Sequence, residues 1–273
     1  MSIPNSDWYL GGTPGRAVFY TGFGCFAAAS GGFLISTMMA KTEKIQKFSI
    51  NSMMITAIAA TAYLAMAFDQ GKIINVSTGR IIFYARYIDW ALTTPLLLYD
   101  LAQLAGVNKN LMRLCLFFDE LMILLGLFGA LSLKQAYLWG WFSLGCLAFF
   151  PVLYLLFFVY PKYTKPETTK TAYTVQSCVL GGLWLIYPIA WGLGTGGNVI
   201  SVDAETIWFL LLDVLTKVAY SSMLLTIWRE VLPFTDGNIS GYPTEMRNQP
   251  NSIQDGNTGV SRRVYKPDVT TAF

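Results

Sequence analysis

Histidine is absent from all 273 residues. That removes the commonest metal ligand and the usual proton shuttle near neutral pH, so any proton chemistry falls to carboxylates and a perturbed Lys or Arg. Charge is scarce as well, at 13% of residues against 54% hydrophobic. This is too apolar for a typical soluble domain of the same length, and the bilayer becomes the expected solvent. Cysteine is confined to Cys25, Cys115, Cys146 and Cys178, each inside an apolar run and with no CxxC pair. Small buried side chains are therefore expected, not a disulfide framework or a metal site. The apolar runs do not alternate with polar residues, which argues against a closed β-barrel. The net charge of +3 is spread over many loops, so nothing supports a nucleic acid partner.

What recurs instead is the apolar segment of ~20 residues, the length that crosses a ~30 Å hydrocarbon core as a helix. Seven spans are predicted, near 15–40, 48–68, 80–104, 109–132, 136–160, 173–195 and 204–229. The fold class is all-α, a seven-transmembrane-helix bundle. Gly71, Gly106, Pro161, Pro166 and the run Gly194 to Asn198 punctuate its short connections. Residues 1–14 form a segment before the first span, 15–230 the membrane domain, and 231–273 a Gly-, Asn-, Pro-, Ser- and Thr-rich tail that reads as disordered. The first 14 residues lack the charged start and cleavage site of a secretory signal, so the first span is expected to be retained.

Basic residues orient the bundle. Lys41, Lys44, Lys47, Lys109, Arg113, Lys162, Lys165 and Lys170 fall on one side, with Arg229, Arg247, Arg262, Arg263 and Lys266 after the last span. Arg16, Lys72, Arg80 and Lys134 fall on the other. The positive-inside rule then puts the N-terminus outside and the C-terminus in the cytoplasm of a multi-pass protein, expected in the plasma membrane. A glycosylation triplet at Asn75 faces outside on this topology.

Ionisable residues inside a span are costly and mark function by default. Glu205 and Arg229 each lie 12 residues from Lys217, about 18 Å along a helix, which puts Lys217 near the membrane midplane and beyond the reach of a snorkelling side chain. It must be neutralised, paired or covalently modified. Asp213, four residues earlier, shares its helical face. A plain buried ion pair would satisfy this span by itself. The third span sharpens the choice, because RYIDWALTTPLLLYD places Arg86, Asp89, Thr93 and Asp100 along one stripe. Its two carboxylates are about 16 Å apart along the axis. Trp184, Tyr187 and Trp191 line one face of the sixth span, with Trp90 and Trp141 at comparable depth. Such a stripe is ordinarily core packing, but beside a buried amine it can wall a slot for a long, flat, apolar ligand. Pro95 and Pro188 permit kinks in their spans.

These segments resemble the microbial rhodopsin family, most closely the bacteriorhodopsin-like light-driven proton pumps. The resemblance covers about 15–230 and rests on RYIDWALTTPLLLYD, on DELMILLGLFGAL at 119–131, on WLIYPIAW at 184–191 and on LDVLTK at 212–217. It implies all-trans retinal bound to Lys217 as a protonated Schiff base, with Asp89 and Asp213 as counterions. Asp89 would accept the Schiff-base proton, and Asp100 would return one from the cytoplasmic side. The neighbours of Asp100, Leu97, Leu98, Leu101 and Leu104, are expected to keep it protonated in the dark by desolvation. The chromophore would lie among Trp90, Thr94, Leu97, Met122, Gly126, Trp141, Gly145, Trp184, Tyr187, Pro188 and Trp191. Tyr63 and Tyr87 would stand around the counterions, and Ser52 would support the donor. Asp119 would pair with Thr94 as a structural bond between helices. Arg86 would steer release toward the outside, with Glu205 as the matching release carboxylate. The loop GLGTGGNV departs from the pattern: Gly196 or a neighbour stands where close relatives carry a second glutamate, which puts early proton release in doubt. Protons and membrane lipid are the implied partners, no metal is called for, and homo-oligomerisation is left open.

Other functions in this family need other residues. An inward chloride pump needs a neutral residue where Asp89 stands, and a sodium pump needs Asn at 89 and Gln at 100. A light-gated channel commonly has Cys at the place of Thr94 and several Glu in the second span, which has none between Lys47 and Asp69. A sensory photoreceptor signalling through a partner is the main alternative. Asp100 favours the pump, because sensors often lack a cytoplasmic donor.

Overall fold

The computed structural model describes residues 13–165 and 167–231. The segment before them, Pro166 and the tail with Arg247, Arg262, Arg263 and Lys266 lie outside the described residues. Within these limits the chain forms seven helical rods: α1 (Thr13–Met38), α2 (Glu43–Ala67), α3 (Tyr84–Ala105), α4 (Lys109–Leu131), α5 (Gln135–Tyr154), α6 (Glu167–Trp184) and α7 (Val202–Asp213). Three of them continue in other windings. A π-helical turn, Leu155–Val159, and a 3-10 turn, Tyr160–Lys162, prolong α5; Ile186–Trp191 and the π-helical turn Gly192–Gly196 prolong α6. Helix α7 runs on through the π-helical segment Val214–Ala219, then Tyr220–Thr226 and Ile227–Val231.

Six rods are long and apolar enough to cross a membrane by length and composition. The exception, α3, carries Arg86, Asp89 and Asp100, and all three are buried. Large apolar side chains such as Ile35, Leu147, Phe150, Phe158 and Ile189 point outward, whereas Asp89, Asp100, Asp119, Asp213 and Lys217 point in. Polar inside and apolar outside is the distribution a lipid solvent selects. Each rod packs on its neighbour in sequence, and α7 returns against α1, closing the ring.

Local chemistry sets the ends. Thr42 caps α2 by accepting from the Ile45 N–H at 3.3 Å, and Asn108 and Ser201 cap α4 and α7. Gly106, at φ 72°, closes α3 in the left-handed conformation that other residues avoid.

The third span starts later than its apolar run suggests. Residues Ile73–Ile74 (β1) and Ile81–Ile82 (β2) pair antiparallel across a turn containing Gly79 at φ 70°, and helix begins only at Tyr84. Two β-branched isoleucine pairs flanking a glycine turn favour a hairpin over helix. The hairpin is pinned to α4 by the Asn75 amide, which donates to the Ser132 carbonyl at 3.0 Å. At 5% exposure Asn75 is no open glycosylation acceptor. The two prolines act unequally. α3 passes unbroken through Pro95, while α6 breaks at Leu185, just past Trp184, whose carbonyl loses its i+4 donor at Pro188.

Close approach of α1 to the centre depends on Gly22. A Cβ there would run into the Tyr63 ring and come 2.9 Å from Leu210 Cδ1. Gly22→Val is expected to destabilise the fold by about 1–3 kcal/mol through overpacking. Scanning calorimetry checks this, and an unchanged midpoint contradicts the close approach.

Candidate functional site

The site is built on α7. Lys217 sits in the π-helical segment Val214–Ala219, a winding often found at functional positions. Its Nζ donates to Asp89 Oδ2 on α3 and lies 3.4 Å from Asp213 Oδ1 one turn earlier. The side chains of all three are at most 1% exposed. An amine thus bridges two carboxylates from different helices.

The two carboxylates are held differently. Asp213 accepts from Tyr63 Oη at 2.8 Å, from Tyr187 Oη at 2.8 Å and from Trp90 Nε1 at 3.2 Å. Asp89 Oδ1 has no hydrogen-bond partner among the described residues, and Oδ2 has Lys217. Thr93, one turn from Asp89, spends its hydroxyl on the Asp89 carbonyl at 2.7 Å. Three neutral donors fix Asp213 as an acceptor. Asp89 has room for one proton without surrendering any of its bonds.

From this cluster a cavity runs between α3, α4, α5 and α6. Trp90, Thr94 and Leu97 line it from α3, Met122, Ile123 and Gly126 from α4, and Trp184, Tyr187, Pro188 and Trp191 from α6. On α5 the wall is Phe142, Gly145, Cys146 and Phe149, and Lys217 lies at the α7 end. Trp141, expected in this wall, is not part of it. It is 37% exposed and packs edge-on against Phe128, centroids 5.5 Å apart. The i, i+3, i+4, i+7 face that turns inward starts at 142, and one residue's offset rotates a side chain by about 100°.

Toward the end opposite the hairpin, Asp100 is 1% exposed, with Asn51 as its polar side-chain neighbour. Ser52, expected to support Asp100, instead donates to the Phe48 carbonyl at 2.9 Å. Asp119 pairs with Thr94 at 2.8 Å, joining α4 to α3 as expected. Tyr87 accepts from Trp191 Nε1 at 2.5 Å.

At the hairpin end the cation on Glu205, the expected release carboxylate, is Arg80 and not Arg86. Glu205 binds Arg80 Nη2 at 2.9 Å, with both side chains buried. Arg86 lies over the Phe209 ring, 4.5 Å from its centroid, and its Nε and Nη2 have no partner among the described residues. Arg80 reads in the sequence as one more loop cation. Nothing there marks it as buried except the isoleucines that follow it into β2.

The profile of the bacteriorhodopsin-like protein family matches residues 15–231. The chain belongs to that family. It is 37% identical over 193 residues to an opsin-like protein of Fusarium fujikuroi, across 66% of this chain and 62% of the relative. It therefore spans less than two thirds of that relative's length. Bacteriorhodopsin of Halobacterium salinarum is 34% identical, over 71% of this chain and 76% of its own. Among solved structures, the light-driven proton pump rhodopsin of Coccomyxa subellipsoidea superposes with a TM-score of 0.76 at 36% identity, covering 80% of this chain and 98% of that one.

As a bacteriorhodopsin-like protein the chain is an integral, multi-pass membrane protein that carries retinal as a Schiff base on a lysine. The residues present fit the group. The cavity wall is aromatic and aliphatic, and Lys217 Nζ, the buried amine, stands at its end. Phe142→Ala is expected to remove about 3 kcal/mol of packing and to shift the visible band of the retinal-loaded protein. Trp141→Ala should leave the band in place. Absorption spectra of both variants decide it, and the reverse ranking would put Trp141 on the cavity.

Proposed function

We propose that this chain is a light-driven pump that carries protons outward, with retinal on Lys217, Asp89 as the acceptor and Asp100 as the cytoplasmic donor. The observation that carries the proposal is the unequal holding of two carboxylates around one amine. Asp213 already accepts from Tyr63, Tyr187 and Trp90, so an added proton there would have to reverse or displace one of these bonds. Asp89 offers a free Oδ1, and its Oδ2 already touches Nζ. A proton passing from Nζ to Asp89 removes one positive and one negative charge from a site shut off from water, where separated charges are costly. Asp213 remains as the fixed anion.

Retinal, when bound, supplies the light-driven isomerisation that re-aims the Nζ–H. The chain supplies direction. Asp89 lies on the hairpin side of Lys217, and Asp100 lies 11 residues further along α3, about 16 Å toward the opposite end. With Arg86 beyond Asp89, the stripe gives a proton an acceptor on one side of the amine and a donor on the other. The basic residues at the Asp100 end support a cytoplasmic position for that end. Thr94 and Asp119 brace α3 against α4 beside the cavity. Pumping needs no bond making beyond proton transfer, consistent with a transporter and not an enzyme.

Protein reconstituted with all-trans retinal in liposomes tests the proposal. Illumination is expected to give an uncoupler-sensitive pH change, and Lys217→Ala to abolish the visible band. Asp89→Asn should shift the band and stop transport. Asp100→Asn should slow recovery of the Nζ proton by tenfold or more, with azide or another small acid restoring it. A photocycle without any pH change contradicts the pump.

A further inference from the structure

The hairpin end holds a second buried ion pair that proton transfer at Lys217 does not use. Arg80, the residue before β2, reaches Glu205 Oε2 at 2.9 Å through Nη2. Its Nη1 donates to Asn198 Oδ1 at 2.7 Å and to the Ile200 carbonyl at 2.9 Å. The other oxygen of Glu205 accepts from the Thr195 N–H at 2.9 Å and from Thr195 Oγ1 at 2.7 Å. Three elements meet here: the hairpin, the connection between α6 and α7, and the first turn of α7.

Both oxygens of Glu205 face donors, one of them a guanidinium. The guanidinium on Oε2 and the Thr195 N–H on Oε1 can only donate, and a proton on Glu205 would leave the buried Arg80 charge without its anion, so the arrangement suits a carboxylate and not a carboxylic acid. The loop is shaped to that pair. A Cβ at Gly194 would run into the Glu205 carboxylate, and one at Gly196 would come 2.9 Å from both Trp139 and Trp191. A second acidic side chain at 196, needed to share a stored proton with Glu205, has no room. Arg86, the cation nearer Asp89, is turned onto Phe209 instead.

We propose that Arg80 and Glu205 form a permanently charged latch across the external mouth, so that Glu205 stores no proton and the outgoing proton leaves only when Asp89 gives it up. The O–H bond on Asp89 breaks after Asp100 has resupplied Nζ, and the proton passes to external water. Release therefore follows uptake. The timing rests on the pump reading, whereas the charge state of Glu205 does not.

Infrared spectra of the dark protein and of Glu205→Gln test the latch whether or not the protein pumps. The difference is expected to show a lost carboxylate band and no lost carboxylic C=O band. A lost C=O band overturns the proposal. Flash excitation with a soluble pH dye then gives the order of events: uptake before release is expected in the wild type. Release ahead of uptake that Glu205→Gln delays overturns it. In Arg80→Gln, Glu205 loses its cation, and a new C=O band in the dark is expected, absent from Arg80→Gln/Glu205→Gln. If Arg80→Gln does not fold, the wild-type and Glu205→Gln spectra still decide. A missing pH change in steady light counts against the pump alone, and the dark spectra still settle the latch.

Discussion

One positive amine held between two carboxylates, away from water, is the constraint on which the rest of the structure depends. Burying an ion costs several kcal/mol even after relaxation, and removing one partner of a buried pair costs about 3–5 kcal/mol. Lys217, Asp89 and Asp213 are each at most 1% exposed. The bundle offsets that cost by giving Asp213 the hydroxyls of Tyr63 and Tyr187 and the indole of Trp90, drawn from α2, α6 and α3. The same economy leaves Asp89 under-supplied. Inequality between two otherwise similar groups gives the site a direction.

Helix geometry supports this asymmetry. The π-helical winding at Val214–Ala219 sets Lys217 off the regular α-helical register while keeping it 3.4 Å from Asp213. The break at Leu185 lies between Trp184 and Tyr187, both cavity walls. Two of the irregular segments thus lie at the amine and along the cavity wall. Elsewhere α1 through α5 run as α-helix until α5 changes winding at Leu155.

Much of this was legible in the sequence because lipid leaves few choices. Apolar length gives the helices, and charges inside them stand out: Lys217, Asp213, Asp89 and Asp100 were found from spacing alone. What was not legible depended on less than one turn of rotation or on contacts far apart in sequence. Trp141 and Phe142 are adjacent aromatics, and only packing against α4 decides which faces inward. Two-residue strands such as Ile73–Ile74 are too short to break a hydropathy pattern, so helix α3 was expected to begin at 80. Arg80 and Glu205 are 125 residues apart. No local pattern joins a loop cation to a carboxylate across the bundle.

The central claim is that Asp89, not Asp213, takes the proton from Lys217. Time-resolved infrared spectroscopy of the illuminated protein measures it most directly. A carboxylic C=O band is expected to rise as the Nζ proton leaves, to vanish in Asp89→Asn and to persist in Asp213→Asn wherever that variant binds retinal. A band that survives Asp89→Asn and is lost with Asp213 would contradict the account.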